Sequence, residues 1–77
     1  MLGESLTRII INHPDTYEIA MFIESHLSMI KSRELYSFYY MLRYQTGKYD
    51  IDSIVEESKS DYRLEKVLQK VVLKFEK

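Results

Sequence analysis

The chain has 77 residues, of which 45% are hydrophobic and 30% charged, and its formal net charge is −1. This composition predicts one folded domain over residues 1–77 and excludes a disordered chain. The absence of cysteine excludes disulfide bonds and thiolate zinc sites, and one proline with two glycines favours a few long helices over a turn-rich β fold.

The first two helices are predicted from the spacing of apolar residues at three and four positions. The first helix spans about Leu2 to Ile11, and the segment Asn12-His13-Pro14 ends it because proline disfavours helical geometry before itself. The second helix spans about Pro14 to Lys31, preceded by Asn12 or His13, with the carboxylates of Asp15 and Glu18 in its first turns, where they favour the helix dipole.

A third helix is predicted from about Ser32 to Thr46, with Ser32 as its N-cap and Gly47 in the left-handed C-cap position. The aromatic residues of this segment also alternate with period two. That pattern leaves an alternative α+β fold open, with a hairpin around residues 36–51.

Two further helices complete the chain. A short fourth helix is predicted from about Asp52 to Ser58, where Ser53 and Glu56 have the spacing of a capping box. A fifth is predicted from about Asp61 to Glu76 with Ser60 as its cap, and a break near Lys59 keeps carboxylates out of the core.

The predicted fold is therefore an all-α bundle of four or five helices. So short a chain has a thin margin of stability, and we expect dimerisation to complete the bundle. The predicted core contains Ile9, Ile10, Ile19, Ile23, Leu27, Ile30, Leu35, Phe38, Leu42, Leu64, Leu68, Val71 and Phe75.

The third helix carries more aromatic residues than one core face needs. Tyrosine and arginine are enriched in protein interfaces, and the surplus therefore predicts a surface that binds a second copy or another protein. The residues of this predicted interface are Arg33, Tyr36, Tyr40, Arg43 and Tyr44.

The fifth helix has a basic edge beside its apolar stripe. Such a row is most often a solvated face, and the alternative is a contact with nucleic acid or an acidic partner. The row consists of Arg63, Lys66, Lys70, Lys74 and Lys77.

No motif predicts catalysis. The two histidines have no ligand spacing for a metal, and no serine has a base at a defined spacing. We therefore expect a non-enzymatic interaction or regulatory module without cofactor, metal or small-molecule substrate. The start of the chain lacks the pattern of a secretory signal and its apolar runs are too short to span a membrane, so we expect a cytoplasmic protein.

Overall fold

The computed structural model describes residues 1–46 and 50–76. These two ranges contain five α-helices, which confirms the predicted all-α fold, and they contain no strand. The helices are α1 (Leu2–Asn12), α2 (Thr16–Leu27), α3 (Arg33–Tyr44), α4 (Ile51–Ser58) and α5 (Tyr62–Phe75). The alternative hairpin around residues 36–51 is wrong, since residues 36–44 belong to α3 and Ile51 begins α4.

Four helices begin at a side chain that accepts a hydrogen bond from a free backbone N–H. The prediction for α3 is confirmed, because the Ser32 hydroxyl oxygen accepts the Leu35 N–H at 3.0 Å. The caps predicted for α2, α4 and α5 are wrong by one to three residues. Their N-caps are Asp15, Asp50 and Asp61.

The observed N-caps also change where the helices begin. The Asp15 carboxylate accepts the Tyr17 N–H at 3.0 Å, and α2 begins after Pro14 rather than at it. The capping box at Ser53 and Glu56 does not form, because Ser53 donates both its N–H and its hydroxyl to Asp50. Aspartate is as good a cap as serine, so a carboxylate one to three residues from each predicted cap can replace it.

The C-terminus of α3 has the expected left-handed residue at another position. Gln45 has φ 53° and ψ 45°, and its N–H donates to the carbonyl of Met41. The Thr46 N–H donates to the same carbonyl at 3.3 Å. The left-handed residue that ends the helix is therefore Gln45, two residues before the predicted position. The predicted position, Gly47, lies outside the described residues.

The core forms where the apolar stripes of the helices meet. All predicted core residues are buried except Ile10, which is half-buried. The core also includes Leu6, Ala20, Tyr39, Ile54 and Val67. α5 packs against α1, α2 and α4, and its most buried residues are interleaved with exposed ones at helical spacing.

The position of α3 leaves one of its faces uncovered. α3 packs against α2 and α4. The hydroxyl of Thr16, at the start of α2, donates to the carbonyl of Leu42, near the end of α3, at 2.9 Å, so the two helices run antiparallel. The side of α3 opposite these neighbours faces solvent.

Candidate protein-interaction surface

The outward face of α3 carries the residues predicted as an interface. Leu35, Phe38, Tyr39 and Leu42 point into the core. Six of the other residues lie on the opposite side at helical spacing, and the half-buried Glu34 and Met41 lie between the two sides. We call this set the α3 surface: Arg33, Tyr36, Ser37, Tyr40, Arg43 and Tyr44.

Three tyrosines give the α3 surface its apolar area. Tyr36, Tyr40 and Tyr44 are 40%, 50% and 60% exposed, so each ring has both a supported part and a free part. The rings of Tyr40 and Tyr44 stack nearly parallel, with centroids 6.1 Å apart and an interplanar angle of 10°. Each ring therefore limits the movement of the other.

Arg43 joins this tyrosine pair to the body of the protein. Its guanidinium lies 5.4 Å from the Tyr44 ring centroid and 5.9 Å from that of Tyr39. It also donates to the Tyr39 hydroxyl at 2.6 Å and lies 3.4 Å from the carboxylate of Glu24 on α2. These contacts hold a cation beside the exposed ring of Tyr44, an arrangement that is favourable in its own right.

The hydroxyl of Tyr39 connects the cation to the carboxylate. It accepts from Arg43 and donates to Glu24. The hydrogen bond to Glu24 favours the protonated hydroxyl and, with burial, raises the pKa of Tyr39. The hydrogen bond to Tyr39 raises the pKa of Arg43, which therefore keeps its charge. The sequence pattern did not predict Glu24 as part of this cluster, since it lies on another helix.

Arg33 lies at the other end of the α3 surface and is exposed. In the part of the chain that the structure describes, its guanidinium has no ion pair and no hydrogen bond. Ser37, which the sequence analysis did not include, lies between Arg33 and Tyr40 on the same row. The α3 surface thus holds two guanidinium groups and three aromatic rings, and the half-buried Glu34 borders it next to Arg33.

The basic edge of α5 is exposed but largely engaged with its own chain. The ammonium of Lys66 lies 5.4 Å from the ring centroid of Tyr62, and that of Lys74 lies 5.8 Å from those of Phe22 and Phe75. Arg63 donates to a carbonyl of the α2–α3 connection at 3.4 Å.

Lys70 is exposed on the same edge. Lys77, the last residue predicted for this edge, lies outside the described residues.

Both histidines contact other residues of the chain. The Nδ1 of His13 accepts the Asp15 N–H at 3.2 Å, and its ring packs edge-on against Phe75. The Nδ1 of His26 lies 3.1 Å from both the Ser25 hydroxyl and the carbonyl of Phe22.

Ser25 itself donates to the Phe22 carbonyl at 2.8 Å, so its proton is directed away from the imidazole. Within residues 1–46 and 50–76, no three histidine or acidic side chains are grouped as metal ligands.

Comparisons with protein-family models, with characterised proteins and with solved structures give no match to this chain. None of the helices in the described ranges has the length and hydrophobicity needed to cross a lipid bilayer.

Proposed function

We propose that this chain is a non-enzymatic protein-interaction module that binds its partner through the α3 surface. The observation that carries the proposal is the exposed, stacked pair of Tyr40 and Tyr44 with Arg43 held beside it. Large rings with few rotatable bonds gain much from leaving water and lose little entropy on binding.

The restraint on these side chains supports the same conclusion. Tyr40 and Tyr44 stack on each other, and Arg43 is fixed by the hydroxyl of Tyr39 and the carboxylate of Glu24. Side chains that are ordered before binding cost less to immobilise in a complex. Tyrosine and arginine are also the residue types in which binding energy is concentrated at protein interfaces.

The experiment compares two double variants. Tyr40→Ser with Tyr44→Ser removes the stacked pair, whereas Tyr17→Ser with Tyr62→Ser removes two tyrosines that are 45% and 70% exposed on other helices. We expect the first variant to lose association and the second to keep it. The measurements are mass by light scattering and recovery of bound proteins from the native source.

The proposal is wrong if both double variants associate as the unchanged chain does in both assays. Circular dichroism of each variant establishes that the helices are intact, so that a loss of binding cannot be attributed to unfolding. The matched control separates the α3 surface from a general effect of removing exposed rings.

A nucleic-acid-binding regulator is the alternative, and one observation favours it. In the described ranges, none of Arg63, Lys66, Lys70 and Lys74 has a carboxylate within ion-pair distance. We rank it second because Lys66 and Lys74 lie against aromatic rings of their own chain.

A gel shift that weakens with salt and disappears when Lys66, Lys70 and Lys74 become glutamate would favour this alternative over the protein-binding proposal. Salt-insensitive association through α3, with no gel shift, would support the protein-binding proposal.

A further inference from the structure

We propose that the groove between α1 and α4 binds a cationic amphipathic helix of a partner protein. The residues that line this groove include none from α3, so the inference goes beyond the proposed function. Three observations support it: the shape of the groove, its apolar floor, and the sign of the charge that has no partner within the chain.

The groove lies where α1 and α4 pack together. Gly3 of α1 lies beside Val55 of α4, and a Cβ at Gly3 would be 3.8 Å from the Val55 side chain. The open volume along this contact is about 840 Å³. At about 1.5 Å per residue, the 8 residues of α4 form a wall roughly 12 Å long, which matches about two turns of a bound helix.

The surface of the groove is mainly apolar. Leu2 and Val55 are half-buried there, and Ile11 is 74% exposed near the end of α1. Gly3, Thr7 and Ile11 follow one another at spacings of four residues, so they lie on one line along α1. An aliphatic side chain in contact with water becomes more stable when a partner covers it, and the exposed Ile11 therefore favours an apolar occupant.

The charge in the groove that has no partner is negative. Both cations in the lining are paired with carboxylates, Arg8 with Glu76 at 2.5 Å and Lys59 with Glu56 at 3.1 Å. Three carboxylates also line the groove and have no ion pair within the described ranges: Glu4, Asp52 and Glu65. They favour a cationic occupant and oppose a nucleic acid or an anionic lipid surface.

A helix suits this groove better than an extended segment does. An extended segment binds by pairing its backbone with the edge of a sheet, and the described ranges contain no strand. A helix pairs its own backbone groups and presents side chains alone. An amphipathic helix can place its apolar face on Ile11 and Val55 and its lysine or arginine residues beside the carboxylates.

The probe is a fluorescent peptide of about 15 residues, with leucine at helical spacing and lysine at the other positions. One control peptide has the same composition in scrambled order and therefore no apolar face. A second has glutamate in place of lysine. Fluorescence anisotropy with the full chain measures affinity, and amide shifts in NMR spectra locate the site. We expect the amphipathic lysine peptide to bind most tightly, to shift the amides of α1 and α4, and to bind more weakly as salt increases.

One pair of variants tests the charge. Glu4→Gln with Asp52→Asn should weaken binding of the lysine peptide roughly tenfold, about threefold for each exposed ion pair that is lost. The matched control is Glu18→Gln with Glu34→Gln, which removes carboxylates from the first turns of α2 and α3. We expect the control variant to bind the peptide as the unchanged chain does.

A second pair tests the apolar floor. Ile11→Ser should weaken binding of the lysine peptide roughly tenfold. Leu73→Ser, at a position on α5 that is 83% exposed, should leave binding unchanged. Circular dichroism of each variant establishes that the helices are intact.

The outcomes separate this inference from the proposed function. Equal binding of either control peptide, or an equal loss in the control carboxylate variant, overturns the docking of a cationic helix in the groove. Amide shifts of α1 and α4 that depend on protein concentration without peptide would assign the groove to a second copy and overturn the proposed partner. Tyr40→Ser with Tyr44→Ser should leave peptide binding unchanged, and a loss would place the peptide on the α3 surface and overturn the inference. The proposed function depends only on the association assays of the α3 surface.

Discussion

Replacing Ser32 with alanine should destabilise the fold through two separate hydrogen bonds. The Ser32 hydroxyl accepts the Leu35 N–H at the start of α3 and donates to the carboxylate of Glu57 on α4. Ser32 is 4% exposed, so water cannot readily replace either bond. The side chain therefore caps one helix and attaches it to the next.

The magnitude follows from the two contributions. Loss of an N-cap costs about 1 kcal/mol. The hydrogen bond to Glu57 adds about 1 kcal/mol, the lower part of the range for charged groups, because Glu57 is only half-buried. The sum of about 2 kcal/mol corresponds to a fall in Tm of roughly 10 °C for a domain of this length.

The assay is urea unfolding followed by circular dichroism at one fixed low concentration, with Ser37→Ala as the exposed control in the same helix. A double-mutant cycle with Glu57→Ala isolates the bond between the helices, and we expect a coupling of about 1 kcal/mol. A loss of less than about 0.5 kcal/mol for Ser32→Ala, or no coupling in the cycle, would refute the assigned roles.

Two further predictions test the core and a helix cap. Leu68→Ala, at a fully buried position, should cost about 2–5 kcal/mol and leave much of the chain unfolded, whereas Leu73→Ala, at a position 83% exposed, should change the unfolding free energy by less than about 0.5 kcal/mol. Hydrogen bonds from Ser53 lower the pKa of Asp50, so its carboxylate contributes stability that is complete above the unfolded-state pKa and is lost as pH falls through the folded-state pKa. Asp50→Asn should therefore reduce the acid dependence of unfolding measured by circular dichroism, and an unchanged pH profile would contradict this role of Asp50.

Hydrophobic spacing was sufficient to predict the helices, because burial of an apolar stripe decides where a helix packs. It was less informative about caps. Ser60 and Asp61 are adjacent and both are good caps, but the Ser60 hydroxyl donates to the carbonyl of Glu57 at 3.3 Å, and Asp61 accepts from the N–H groups of Arg63 and Leu64. Which of two neighbours caps a helix depends on how the preceding helix ends, and local spacing does not contain that information.

The candidate surface was predictable in part for a similar reason. The positions of Tyr36, Tyr40 and Tyr44 on one face follow from helical periodicity within α3. The contact between Arg43 and Glu24 does not follow from periodicity, because it joins residues of two helices and depends on how the helices pack. Sequence periodicity therefore identified the residues of the surface except Ser37, whereas the structure supplied the contact that restrains Arg43.

The tyrosines of α3 also differ in what the fold needs from them. Tyr39 and Tyr40 are consecutive, so a helix must point them in different directions: Tyr39 is 3% exposed, and Tyr40 is 50% exposed. A lysine or glutamate at positions 36, 40 and 44 would favour the helix by a few tenths of a kcal/mol per residue. It would also expose less apolar surface to water than a tyrosine does. The stability of the helix therefore does not require tyrosine at these positions. Replacement of Tyr40 and Tyr44 should leave the free energy of unfolding nearly unchanged while association is lost. Such a separation of stability from binding is expected of an interface and not of a core.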